Sequence, residues 1–431
     1  VAASAISPTP LPTLAATATP SAVPAGVIRV DTLDQEVYPF VENGKCSLAE
    51  AIFAANAGKA QDSCAAGVLG KSVIELMPGE YYFTQRDQTP PQTEWFVNLR
   101  SVGNALPPVM YPLTIHGNEA VLIRDASAEP FRFFELPVNA GLALDHLTLQ
   151  GGDAGDDWGG AIYASGALLD LKDVRMSNNR ARDGGAVWFQ LSGLTIQDCE
   201  FTGNHSTNNG GAIFIDSSRA TVQATRFDSN EADGEGGALW AYTANLALTD
   251  NFFIKNRITG EGSGTYGGAI NAEHVNATIT GNQFYQNAAP LYGGAISIGN
   301  GVVAGNDSDP EGEPIQQLQQ SPVISDMLTS IPGFQATLEA HPSGVFVDFH
   351  ESTQIHNNCF ANNHTDNPSR PNWTSGLSSL GASADGNYWG SPSGPSGKGP
   401  GNGDSVGKRA TFAPFLTAAP AFCDPTLAER K

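Results

Sequence analysis

Positive charge is scarce in this chain. Lys and Arg number 22 against 44 Asp and Glu, a formal net charge of −22 over 431 residues. A field of that sign repels phosphate backbones and anionic lipid, which argues against nucleic acid or a membrane surface as partner. A polyanionic sugar would need a bridging cation. Charged residues of both signs make up only 15%, while Gly numbers 48 and Pro 28, a balance expected of many tight turns and little helix. Long apolar runs are also missing. No stretch of 18 apolar residues occurs, which excludes a membrane-spanning helix. Cysteine is sparse, with five in all. Cys46 and Cys64 flank one short segment and are expected to pair, as are Cys359 and Cys423, whereas Cys199 is expected to pack as a small apolar group. Paired cysteines suit an extracellular location. The chain opens on Val1 rather than Met, as expected of a processed secreted protein.

What is present is a repeat. Gly-Gly-Ala-aliphatic occurs at Gly159, Gly184, Gly210, Gly236, Gly267 and Gly293. After the first five, an aliphatic residue follows twelve positions on (Leu171, Ile196, Val222, Leu248, Ile279) and a large apolar residue seventeen on (Met176, Phe201, Phe227, Phe253, Phe284). Asparagine follows three residues after that, at Asn179, Asn204, Asn230, Asn256 and Asn287. Only the stretch from Asn to the next Gly-Gly varies, at 5, 6, 6, 11 and 6 steps. A fixed period with slack at one corner marks stacked coils. Apolar residues alternate, as in Ile213-Phe214-Ile215, so the segments are strands rather than helices. The fold class expected is all-β: a single-stranded parallel β-helix, or β-solenoid, of about 10 coils stacked at roughly 4.8 Å. Phe falls on Phe, and the Asn column becomes a ladder of side-chain amides. The paired glycines suit a turn that needs positive φ or close backbone approach.

The chain divides accordingly. Residues 1–26 are an uncharged Pro/Ala/Thr-rich extended tail. Residues 27–72 form an N-terminal cap with one short helix, opened by a capping box of Ser47 and Glu50 and closed by Gly58. Leu48, Ile52 and Ala55 share one face of that helix, which is placed to lid the first coil. Residues 73–384 are the solenoid, less regular before residue 150, with a long loop expected over 85–110 and an insertion at 301–342. The offsets return at Ser343, with Ile355, Phe360 and Asn363 at twelve, seventeen and twenty. Residues 385–431 form a C-terminal cap and tail whose aromatic residues are expected to shield the last coil.

Gly-Gly-Ala-Ile together with Phe-x-x-Asn resembles the repeats of the chlamydial polymorphic outer membrane proteins. Cys46-Ser47-Leu48-Ala49-Glu50-Ala51-Ile52 resembles the CSLREA motif of secreted bacterial β-helix proteins, with Ala49 in place of Arg. Asn387-Tyr388-Trp389-Gly390 resembles a segment common in such proteins. The resemblance implies a right-handed β-helix at a bacterial cell surface, and adhesion. It departs at residues 385–431, too short for the membrane barrel of an autotransporter.

Three candidate surfaces follow. Tyr163, Trp188, Phe214 and Trp240 lie at offset 4, between inward-facing neighbours, and so are expected to face outward as an aromatic stripe. A polysaccharide or a Pro-rich segment is the occupant such a stripe suits, and a covering loop is the alternative. Asp153, Asp156, Asp157, Asp183, Asp233 and Glu235 gather before the Gly-Gly turns, joined by Glu231 and Glu261. Ca²⁺ is the cation that edge would take, with ion pairing to Arg180, Arg182 and Arg257 competing. No organic cofactor is expected. The fold also carries pectin-degrading enzymes. Asp156-Asp157 is the one adjacent carboxylate pair, while Gly-His-Gly and Arg-x-Lys companions are missing and the eight histidines share no offset. Asn204, Asn276, Asn306, Asn363 and Asn372 stand in glycosylation triplets. The reading that results is a non-enzymatic structural or adhesive surface protein. Its partner is itself, in a homo-oligomer or fibre joined by the N-terminal tail, or a surface glycan. A polysaccharide lyase, hydrolase or binding module is the alternative.

Overall fold

Strands of three to five residues cannot bury their apolar side unless other strands lie above and below. The computed structural model shows this arrangement; it describes residues 24–89, 103–260, 266–290, 293–299, 353–365, 377–379, 383–406, 410 and 412–423. All named strand pairs are parallel, and in the regular array they join residues one coil apart. Each coil has the same order of parts. In the coil from Gly184 to Asn209 these are Val187–Gln190 on a first face, Gly193–Gln197 on a second, Glu200–Thr202 on a third, and the short edge His205–Ser206. Non-glycine residues turn corners in the left-handed region: Leu191 at φ 56° and Asp198 at 54°, with their counterparts Ser217 and Ala224, and Ser229 where the preceding coil has Gly203. Parallel pairing already starts at Val27–Arg29, which lies on Ser72–Glu75, so the first strand of the cap belongs to the stack.

The core is a set of columns. Phe201, Phe227, Phe253, Phe284, Phe360 and Trp389 stack in turn, at centroid spacings of 5.1, 4.8, 4.9, 5.1 and 4.7 Å with rings within 11° of parallel. These are strand spacings, as stacking of identical positions requires. Trp389 is fully buried and ends the column. Ile355 and Phe360 rejoin the registers of Ile279 and Phe284. Residues 301–342 and Ser343 lie outside the described residues, as do residues 1–23 of the tail and 90–102 of the long loop. The rest of that loop is not simply surface: Ala105, Leu106 and Val109 are buried in the core.

The two glycines of each turn do different jobs. Gly210 has φ +67°. Gly211 is needed for space, since a Cβ there would lie 2.0 Å from the Gly237 carbonyl oxygen of the next coil.

Asn179, Asn204, Asn230, Asn256, Asn287 and Asn363 form the amide ladder. Each Nδ2 gives one hydrogen to the next Oδ1 and one to a carbonyl in the preceding coil; for Asn204 these are Asn230 at 2.9 Å and Met176 at 2.9 Å. The backbone N–H of each residue joins the same acceptor, Asn204 N to Asn230 Oδ1 at 3.0 Å. The ladder ends on Asp404, which accepts from Asn363 N and Nδ2. A carboxylate only accepts, and among the described residues no further coil asks it to donate. Burial pushes its pKa up to about 6, against the Asn363 hydrogen bonds. The folded value lies above the ordinary 3.8, so this stabilisation is complete below pH 3.8 and lost as pH rises to about 6. Asp404→Asn is therefore expected to raise the thermal midpoint at pH 8 and to change it little at pH 4. Equal effects at both pH values would refute the assignment.

A second ladder runs at offset 15 and is not evident from residue identity. Cys199, Thr225, Asn251, Asn282, Asn358 and Asn387 each accept from the backbone N–H of the preceding member, and Cys199 Sγ from Val174 N at 3.4 Å. Cys199 is thus more than apolar packing. Burial pushes its pKa up to about 12, which keeps it a thiol. Cys199→Val is expected to cost about 1–2 kcal/mol by orphaning the Val174 N–H, and Cys199→Ser much less; urea midpoints of the two variants decide.

The helix Leu48–Ala57 carries the capping box, with Ser47 and Glu50 bonded reciprocally, and Gly58 in the left-handed conformation at its end. It is buried on more sides than a lid requires: Ala49, Glu50, Ala51 and Ala54 are covered along with Leu48, Ile52 and Ala55. The covering chain is tied by the Cys46–Cys64 disulfide, and Phe53 packs against Tyr38 and Phe40. At the other end Cys359 is bonded to Cys423. No helix among the described residues is long and apolar enough to cross a membrane.

Candidate functional site

The first face carries the aromatic column. Its strands Phe134–Leu136, Ile162–Ser165, Val187–Gln190, Ile213–Asp216, Leu239–Tyr242, Ile270–Glu273 and Ile296–Gly299 align one above another. The middle positions, in order, are Glu135, Tyr163, Trp188, Phe214, Trp240, Asn271 and Ser297. Alternation turns these side chains away from the core. Tyr163 to Trp188 is 4.7 Å, Trp188 to Phe214 5.9 Å and Phe214 to Trp240 4.5 Å, all stacked.

This differs from an open platform. Tyr163 is 6% exposed and Trp188 3%, while Phe214 and Trp240 are half-buried. Trp158 lies flat against Trp188 at 4.7 Å, and the Arg132 guanidinium sits 5.3 Å from the Tyr163 ring centre. Asn271 stands over Trp240 in register, and Tyr242 stacks beside it at 5.7 Å. The ring faces are used on one another, because rings repeating at the strand spacing fall at stacking distance. What remains open is a row of edges at Phe214 and Trp240, and a sugar ring that stacks needs a face.

Each end of the column is polar. At the first end Arg132 is fully buried, with Nη2 3.2 Å from Asp157, Nη1 3.6 Å from Glu135 and Nε donating to the Gly159 carbonyl at 3.3 Å. At the far end Asn271 Nδ2 donates to Glu235 at 2.9 Å and reaches Glu273 at 3.4 Å. Trp240 Nε1 also donates to Glu235, at 3.0 Å. Burial pushes the Glu235 carboxyl above its ordinary value, the charge of Glu273 adds to this, and the two hydrogen bonds oppose it. Two carboxylates on one amide, one of them favouring its proton, have the composition of an acid–base pair.

The described part of the acidic edge does not gather into a cation site. Among the described residues no group of three or more His, Cys, Asp or Glu is placed to hold a metal ion. Asp153 faces Arg180, Asp157 pairs with Arg132, and Asp156 is exposed. Asp183 accepts from Asn208 and Asn209, and Asp233 from Thr259. Variable loop lengths at this corner turn each carboxylate to a local donor, where a repeated offset would align them. Glu261 lies outside the described residues. Of the glycosylation triplets, Asn204 and Asn363 are buried in the ladder and closed to a glycan.

Residues 151–311 match a family model described as a right handed beta helix region. Neither a curated protein nor a solved structure matches the chain. The matched stretch holds the regular coils, so the β-helix and its repeat are the shared features, and the family alone does not divide enzymes from non-enzymes. Arg132 lies outside the repeat, and Glu135 stands at the start of its column, before the first Gly-Gly, so both escape a reading by repeat. Glu273 and Asn271 were also missed. The position before each Gly-Gly holds part of the site: Trp158, Asp183, Asn209, Glu235, Tyr266 and Tyr292 share it in sequence.

Proposed function

We propose that this β-helix serves as a structural or adhesive rod of a bacterial cell surface, with a second copy or a surface glycan as partner along its flanks. The observation that carries this reading is where the polar side chains go. Two ladders of buried amides bond coil to coil, and the aromatic column is spent on stacking and on its two polar ends. Such side chains act on the length and persistence of the rod. The two disulfides suit an extracellular, oxidising location. Self-assembly through residues 1–26 belongs to this reading, since an uncharged Pro-rich segment is suited by composition to dock on a neighbour. Electron microscopy and light scattering of the full chain, and of one lacking residues 1–26, test it. Fibres from the full chain alone are expected. Monomers from both at high concentration, with no retention on surface polysaccharide, would sink it.

A second reading rests on Glu235 and Glu273. A carbohydrate-active β-helix would use Glu235 as general acid and Glu273 as its partner. Release of reducing ends or unsaturated products, abolished by Glu235→Gln with unchanged folding, would replace the first reading with this one.

A further inference from the structure

Along the short edge of the coils, a notch of about 500 Å³ is lined by Ser229, Glu231, Lys255, Arg257, Gln286, Ala288 and His364. Its origin is a single small residue. The strand column of the short edge reads Arg180, His205, Glu231, Arg257, Ala288 and His364. Five of these positions carry long polar side chains, and Ala288 leaves a gap between Arg257 and His364. The neighbouring corner column supplies Ser229, Lys255 and Gln286, all held in the left-handed conformation at φ 54°, 53° and 55°, which fixes where their side chains leave the chain.

We infer that this notch binds a monosaccharide unit carrying one carboxylate, at the end or a branch of a glycan. Charge gives the first argument. Arg257 is paired with Glu231, through Nε at 2.8 Å and Nη2 at 2.6 Å, whereas Lys255 makes no ion pair among the described residues. The notch therefore holds a surplus of positive charge in a chain whose net charge is −22. That wider field repels polyanions at long range, and a local cation still holds an isolated anionic group. Size gives the second: the volume is in the range of small-ligand sites and suits a ring, not an extended chain. Chemistry gives the third. The Gln286 amide both donates and accepts, the Ser229 hydroxyl already donates to Asp228 and so is left to accept, and the Glu231 carboxylate accepts. Such a set matches hydroxyl groups flanking a carboxylate. The inference goes beyond the rod reading and does not rest on it, since it is argued only from the residues that line the notch.

Ligand-observed NMR and calorimetry on the full chain test this, with methyl glucuronoside, methyl glucoside and acetate as probes. Methyl glucuronoside is expected to bind in the roughly millimolar range, about tenfold or more tighter than the other two. Ala288→Arg restores the kind of side chain found at 180 and 257 and fills the notch; Lys255→Glu reverses the exposed charge. Each is expected to weaken binding about tenfold or more while thermal unfolding stays unchanged. Equal affinity for methyl glucuronoside and acetate would overturn the sugar assignment. Undiminished binding by both variants, or no saturable binding by the parent chain, would overturn the site. If Ala288→Arg fails to fold, the exposed Lys255→Glu variant still decides.

Discussion

Replacing Arg132 with alanine is expected to destabilise the protein by about 3–5 kcal/mol, the range for removing one partner of a buried ion pair. The guanidinium has no exposure, and burial pulls its pKa below the ordinary arginine value while Glu135 and Asp157 push it back up. Glu135 is itself 2% exposed and accepts from Asn104 at 3.0 Å, a neutral amide that does not replace a cation. Truncation removes the cation from beside that carboxylate, uncovers one face of Tyr163, and frees the Gly159 carbonyl at a Gly-Gly turn. Arg132→Met combined with Glu135→Leu removes both charges and fills the space, and is expected to recover most of the loss. Urea midpoints for the single and double variants are the measurement. A double variant as unstable as Arg132→Ala would show that the loss comes from packing rather than from the lost counter-charge.

Asn230→Ala is expected to cost about 3–5 kcal/mol, through buried groups left without partners. Asn230 Oδ1 accepts from Asn204 N at 3.0 Å and Asn204 Nδ2 at 2.9 Å, and its own Nδ2 donates to the Phe201 carbonyl and to Asn256 Oδ1, both at 2.9 Å. Its loss orphans the Asn204 amide and interrupts the ladder in mid-rod. Each coil depends on its neighbours, so the damage is expected as local opening before global unfolding. Amide exchange at Asn204 and Glu231 should quicken well ahead of that at Asn363. Asn230→Asp is expected to be as harmful as alanine. The carboxylate still accepts from Asn204, but it cannot donate to Phe201 and it meets Asn256 Oδ1 with like polarity. Asp404 escapes that conflict by standing last. Uniform exchange rates along the rod, or a mild Asn230→Asp, would contradict the ladder as a coil-to-coil device.

The sequence by itself determined the coil. Its period, the offsets of Leu171, Phe201 and Asn204, the parallel pairing they require, and the capped helix at Ser47 were all legible, because each coil repeats the constraint of the coil below. A residue that recurs at one offset must meet itself, so periodicity alone states the contact. The tertiary structure decided everything that is not periodic. Arg132 and Asp404 occur once, and each takes a partner far along the chain, Asp157 for Arg132 and Asn363 for Asp404. Cys199 and Thr225 entered a ladder through a shared hydrogen-bonding role, hidden by their different identities. The aromatic stripe was legible as a column but not as a closed one, since alternation tells which side of a strand a ring leaves and is silent on what lies against it. The notch at Ala288 is the same lesson in reverse. A small residue is unremarked in a linear reading and becomes a feature only when longer side chains stand above and below it.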